Sequence, residues 1–301
     1  MAWKTGDRGT SMSGQRLMEL AQARTVLSDG AMGTMLQERG LPPGVCPDLW
    51  NVEKPDELKA VHAAYIEAGS VVISTNTFGG SRLKLNAYGL GDRARELNFA
   101  GVSLAREAAG TERFVAASIG PTGKFLEPLG DLSWDEAVDV FAEQAQAQAE
   151  AGADVVLIET FMDLDEAKAA LAGALRAGIP CFCTMAFDTG GRTMMGIDPE
   201  TAAVQLTDAG ASGVGANCGV GPAETLDVVR RMREITSAII IAQPNAGLPQ
   251  ICGGRTIYSS GPDEMAAYAV RFAQLGVNIV GGCCGTTPEH IRAMADALAT
   301  G

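Results

Sequence analysis

Along most of the chain, Ala-rich segments with helical spacing end in glycine, and a short apolar run rich in β-branched residues follows. The pattern recurs at "YIEAGSVVIST", "AEAGADVVLIET", "LRAGIPCFCTM", "TDAGASGVGANC" and "AQLGVNIVGGCC". Glycine takes the left-handed conformation that closes a helix, so each one marks a helix C-terminus. The runs after it are apolar on both faces, as strands of a covered parallel sheet must be. This patterning predicts strands near 25–29, 71–75, 114–119, 154–159, 180–186, 213–217, 238–243 and 277–281. Helices are predicted over 56–68, 92–109, 134–151, 164–177, 199–209, 222–236, 262–275 and 288–299. "DPETA", "GPAET" and "TPEHI" supply Pro in the first turn with an acidic residue beside it, a favourable helix start. Eight βα units in about 275 residues predict an α/β fold, a single (β/α)8 TIM barrel. Alternation alone does not show closure, so a doubly wound open sheet is the competing arrangement. No break in composition marks a second domain. Residues 1–20 read as a flexible N-terminal lead-in, with Met12 an alternative start, and residues 21–301 as the barrel.

Charge narrows the partners. The formal net charge is −13, which repels phosphate backbones and anionic membrane faces and argues against nucleic acid. No apolar stretch reaches the length of a membrane span, and the opening residues lack the apolar run of a signal peptide. A cytoplasmic, reducing setting is therefore expected. Seven cysteines occur, at 46, 181, 183, 218, 252, 283 and 284. An odd count in a long chain without a secretion signal is a poor disulfide framework.

The positions of the thiols carry more information than their number. Cys218 ends the sixth predicted strand in "GVGANCG", and Cys283 and Cys284 end the eighth in "IVGGCCG". In a βα barrel, catalytic groups lie at the C-terminal ends of strands and in the loops that follow. Adjacent cysteines seldom pair comfortably with each other, because that disulfide strains the backbone. Three thiolates from two strand ends suit a tetrahedral zinc ion with its fourth position open, the arrangement of a catalytic site. The competing readings are small buried core residues, or a four-thiolate structural zinc or iron–sulfur cluster joined by Cys252. The absence of CxxC spacings weighs against a cluster. Cys181 and Cys183 alternate on one face of the fifth strand and read as packing, and Cys46 and Cys252 fall in loops.

"NCG" and "GGCCGT", spaced as here, resemble the zinc motifs of the homocysteine S-methyltransferase family. The likeness runs along nearly the whole chain, through "LSDGAMGTML", "STNTFG", "SIGPTG" and "IETF". It is nearest to the homocysteine-binding module of the cobalamin-dependent methionine synthase branch. The resemblance implies Cys218, Cys283 and Cys284 as zinc ligands, with Asp29 and Glu159 holding the amino-acid end of homocysteine. Both carboxylates end apolar strands, where a charge must find a partner; a loop cap for Asp29 and an ion pair with an arginine for Glu159 are the structural alternatives. Asn245, in "AQPNAG" after the seventh strand, is a candidate for zinc's fourth position, though Asn before a small residue also makes ordinary turns. Asn76, Thr77 and Phe78 end the second strand and either shape the pocket or pack the loop.

The implied activity is thiol S-methylation giving methionine. The sequence stops just after the eighth helix without a corrinoid- or folate-binding module, as an excised module or a free-standing enzyme would, and a methyl-corrinoid (cobalamin) donor is expected on a partner protein or module. S-methylmethionine or betaine are alternative donors, and a non-catalytic zinc barrel that docks a corrinoid protein is the rival reading. Other barrel chemistries fit less well. None of the six lysines ends a strand, and Lys54, Lys84 and Lys124 fall in βα loops. The two histidines, His62 and His290, fall on predicted helices, where solvated or helix-end roles are expected. "GVGANCG" is not a dinucleotide fingerprint.

Overall fold

The computed structural model describes residues 10–252 and 255–300. Eight strands form one parallel sheet: β1 (Val26–Leu27), β2 (Val72–Ser74), β3 (Phe114–Ile119), β4 (Val155–Phe161), β5 (Cys181–Met185), β6 (Gly213–Asn217), β7 (Ile239–Gln243) and, last in the chain, Ile279–Val280. Between β7 and that last strand lies an antiparallel hairpin of β8 (Pro249–Cys252) and β9 (Arg255–Tyr258), so the last strand is β10. The spatial order β1-β10-β7-β6-β5-β4-β3-β2 follows the chain without reversal. A doubly wound sheet would reverse its order at a switch point. The remaining seam, β1 to β2, is closed by a bridge between Ser28 and Val72 and by the Val71 N–H donating to the Leu27 carbonyl at 2.8 Å. The sheet is a closed (β/α)8 barrel.

Strand alternation sorts the core into two layers. Val26, Val72, Phe114, Ala116, Val155, Leu157, Phe182, Ile239, Ile241 and Ile279 form the inner cluster. Their neighbours Val115, Ala117, Val156, Ile158, Ile240 and Ala242 belong to the cluster shared with the surrounding helices. Cys181 and Cys183 fall in that outer layer, fully buried, so they pack between strand and helix. The helices begin as their sequences direct: Ser133, Asp163 and Asp198 each accept a hydrogen bond from a backbone N–H of the first turn. Gly69, Gly152, Gly178, Gly210 and Gly276 follow helices with positive φ.

Two features depart from the sequence pattern. From Thr10 to Ala23 the chain is helical, although residues up to 20 read as a flexible lead-in. Leu17 and Ala21 of this helix are buried in the inner cluster, and the Asn278 side chain donates to the Ala21 carbonyl at 2.9 Å. The helix thus plugs the N-terminal mouth of the barrel. Gly14 lets it seat closely, since a Cβ there would lie 2.5 Å from the Asp154 carbonyl oxygen. Gly14, Leu17, Met18 and Ala21 make the i, i+3, i+4, i+7 stripe of a buried helix face, easily missed in a polar setting. The second departure is His62, which is fully buried, not solvated, with neither ring nitrogen bonded among the described residues. Burial lowers it to about 4, so it is neutral core packing. His290 does occupy a helix end, accepting from the Thr287 N–H at 3.2 Å.

Candidate metal centre

Three loops meet at the C-terminal rim, and backbone bonds lock them together. Cys218 follows β6, and its N–H donates to the Gln243 carbonyl at 3.0 Å. The Asn245 N–H, after β7, donates to Val220 at 3.1 Å. After β10, the Cys283 N–H donates to Pro244 at 2.8 Å, and the Ala246 N–H donates to Cys284 at 3.0 Å. This lattice needs glycine at two crowded points. A Cβ at Gly281 would lie 1.9 Å from Ser28 Oγ, and Gly285, at φ 81°, has the Tyr258 ring where its Cβ would be. Cys218 itself has φ 57°, an uncommon conformation for a residue with a side chain.

The outcome is one cluster of sulfur atoms. The Sγ atoms of Cys218, Cys283 and Cys284 all lie within 4.8 Å of one another, and Cys218 and Cys284 are 3.9 Å apart. Zinc–thiolate bonds of ~2.3 Å at a tetrahedral angle place two sulfurs about 3.8 Å apart. The Cys218–Cys284 distance is close to that value, and the cluster is compact enough to hold one metal ion. Among the described residues it contains three thiols, and the Cys252 side chain lies outside them. Cys46 is buried beside Asp48, to which its thiol donates at 3.7 Å. The three sulfurs share protons unequally. Cys284 is pulled well down by hydrogen bonds from Cys218 and Cys283. Its neighbours' bonds to it then push Cys283 far up. Cys218 is lowered by its bond with Cys283, but the bond to Cys284 and burial outweigh this and leave it at about 11.

Two carboxylates stand on the same rim. Asp29, 2% exposed, accepts the Ser74 N–H at 2.7 Å and the Ser74 hydroxyl at 3.0 Å. Burial lifts it to about 7 against those bonds, and the charge of Glu159 adds to the rise. Glu159 is partly buried and accepts a short hydrogen bond from the Ser118 hydroxyl. Burial lifts it also to about 7, with the Cys218 sulfur contributing. No lysine or arginine pairs with either carboxylate among the described residues. No described residue is the arginine partner entertained for Glu159.

The remaining sequence candidates divide. Asn245 is buried, and its Oδ1 has no hydrogen-bond partner among the described residues, in a loop bonded directly to the cysteine loops. The Asn76 amide is committed to the Pro47 carbonyl at 2.8 Å and to Asn51 Oδ1 at 3.0 Å. Thr77 is fully buried and donates to the Ser118 carbonyl at 2.8 Å. Both hold the β2 loop against its neighbours. Phe78 is half exposed, and its ring covers Gly120 in the loop after β3.

Sequence reasoning passed over Asn217, which ends β6 beside Cys218 and reaches Glu159, Thr160, Thr184 and Cys283. It also passed over Tyr258 of the hairpin, whose ring packs on Gly285, the residue after Cys284. The signal for Asn217 was present: a polar residue closing an apolar strand.

The sequence matches the homocysteine S-methyltransferase family over residues 26–298. The chain belongs to that family. It is 36% identical over 304 residues to methionine synthase from Mycobacterium leprae (strain TN), covering 94% of this chain and 25% of that protein. Methionine synthase from Mycobacterium tuberculosis (strain ATCC 25618 / H37Rv) matches with the same identity and coverage. The chain thus spans about a quarter of the length of these curated relatives. Among solved structures, the metallated form of the homocysteine methyltransferase MmuM from Escherichia coli superposes with a TM-score of 0.76. Identity there is 24%, over 94% of this chain and 99% of that one, a likeness of fold.

Proposed function

We propose that this barrel methylates the thiol of homocysteine to give methionine, with Cys218, Cys283 and Cys284 holding a zinc ion. The observation that carries the reading is the compact triangle of sulfurs beside two carboxylates that have no cationic partner among the described residues. The metallated form of MmuM, on the same fold, supports a metal here. The buried Oδ1 of Asn245, unbonded among the described residues, suits the fourth position before substrate arrives.

A free alkyl thiol has a pKa near ~8.5, so little of it is nucleophilic at neutral pH. Cys218, Cys283 and Cys284 would hold a zinc ion, which would favour the deprotonated form of a fourth thiol while leaving its sulfur electron-rich. The chain's own residues do the rest. Asp29 and Glu159 take the substrate ammonium, whose charge compensates two carboxylates that have no cationic partner among the described residues. With both ends of homocysteine held, its sulfur faces the open mouth of the barrel. Attack on the donor's methyl carbon forms the S–CH3 bond, and the electron pair of the broken bond stays with the departing donor.

For the donor we propose a methyl-corrinoid carried by a partner protein or module. Phe125, Leu129, Met162, Met194, Met195 and Leu248 are exposed on the loops after β3, β4, β5 and β7, around the mouth. An apolar rim of this kind favours a large partner over a small soluble donor. Methyl-transfer assays with methylcobalamin, S-methylmethionine and betaine in parallel test the choice; activity with the last two alone refutes it. X-ray absorption separates the enzyme from a non-catalytic zinc barrel. One sulfur gained on adding homocysteine supports the enzyme, and an unchanged four-sulfur shell removes it.

A further inference from the structure

We propose that Asn217 is a positioning residue that couples the amino-acid end of the site to the thiol cluster through a single N–H shared by Glu159 and Cys283. The inference deepens the functional reading above and rests on it.

The argument begins at a bulge. Pairing of β4 with β5 shifts register between Ile158 and Phe161, and Thr160 there has φ 65°. A β-branched residue in that conformation is strained and needs something to hold it. Asn217, 1% exposed, does so from both sides. Its Oδ1 accepts the Thr160 N–H at 2.8 Å, and its Nδ2 donates to Thr160 Oγ1 at 2.7 Å. From β5, the Thr184 hydroxyl donates to the same Oδ1 at 2.7 Å. Two donors on Oδ1 fix the amide's orientation, because a flipped amide would set N–H against N–H.

What remains is one hydrogen. An amide nitrogen carries two, and Thr160 takes the first. The second lies between Glu159 Oε2, at 3.4 Å, and Cys283 Sγ, at 3.9 Å, each near the limit of a useful bond. It cannot serve both well. An ammonium group docked on Glu159 satisfies that carboxylate and releases the N–H to the sulfur. A hydrogen bond to a thiolate ligand orients it and stabilises its negative charge, which is how groups behind a metal site raise its affinity. Occupation of the carboxylate subsite is thereby felt at Cys283.

Linkage makes this measurable. If the two subsites were linked only through the homocysteine molecule that spans them, its advantage over an amine-free thiol in tightening zinc would not depend on Asn217. The experiment is chelator competition for zinc with no thiol, with homocysteine, and with 4-mercaptobutyrate, which lacks the amine. In the wild-type protein homocysteine is expected to tighten zinc on the order of tenfold more than 4-mercaptobutyrate does. Asn217→Ala is expected to weaken zinc by roughly 10–100-fold and to erase the difference between the thiols. Loss of packing alone would weaken zinc and leave that difference intact, and this result overturns the proposal. Should Asn217→Ala not fold, Thr184→Val loosens the same amide from outside. A shrunken difference then supports the coupling, and a full one overturns it. Wild-type protein that binds no zinc sinks the functional reading itself; equal effects of the two thiols on wild type sink only the coupling.

Discussion

Asp29 and Glu159 are held at about 7, some three pH units above where such groups ionise in an unfolded chain, chiefly by burial. A folded pKa above the unfolded one means the native state holds extra protons between about pH 4 and 7. Stability of the ligand-free protein therefore falls as pH rises through that window, and the full penalty is present above it. Asp29→Asn should raise the melting temperature of the ligand-free protein at pH 8 and leave it nearly unchanged at pH 4. Melting curves at the two values check this. The same ionisation serves binding: an ammonium needs charged carboxylates, so the KM for homocysteine should rise as pH drops through about 7. Glu159→Gln should raise that KM at least ~10-fold and flatten its acid limb, as steady-state kinetics across pH 6–8 would reveal. At the cluster, Cys283→Ala should abolish zinc binding and turnover while circular dichroism stays that of a folded barrel. Retained zinc in that variant contradicts the ligand assignment.

At the scale of elements, the helix Thr10–Ala23 and the loops after β6, β7 and β10 sit at opposite ends of the barrel and do separate work. Leu17 is fully buried in the inner cluster at the N-terminal mouth. Leu17→Ala should cost about 2–5 kcal/mol, the range for deleting a buried leucine side chain. Denaturant unfolding measures that loss, and zinc stoichiometry should stay at wild type because no cysteine of the cluster touches this helix. A fall in zinc binding would show that the two ends are not independent. The loops at the other end owe their form to backbone bonds among themselves, from Cys218, Asn245, Ala246 and Cys283. The hairpin β8–β9 adds Tyr258, packed on Gly285.

For the whole molecule, the cluster draws on β6 and β10, which flank β7, so a bound ion cross-links two parts of the rim after the barrel has closed. Ligands that bind only the native state stabilise it by mass action, by about 4 kcal/mol at a thousandfold excess over Kd. Removing zinc with a chelator should lower the melting temperature without loss of far-ultraviolet helix signal. Collapse of the helix signal would make the ion a folding cofactor for the barrel. The architecture was legible in the sequence because each βα unit announces itself locally: "AGADVVLIET" carries helix stop, buried strand and rim carboxylate within ten residues. That Cys218, Cys283 and Cys284 come together was legible for the same reason, each lying just past the end of a strand. The plug helix was not, because its apolar stripe gains meaning only against the strand ends it covers. Neither was Asn217, whose partners lie on β4, β5 and the loop after β10. Local pattern determined the eight units and the chemistry at their tips, since helix caps, strand alternation and strand-end residues are properties of neighbours in the chain. Barrel closure, the sulfur spacing, the carboxylates with no cationic partner among the described residues and the hydrogen shared between Glu159 and Cys283 were decided in three dimensions, since each depends on distances between residues far apart in sequence.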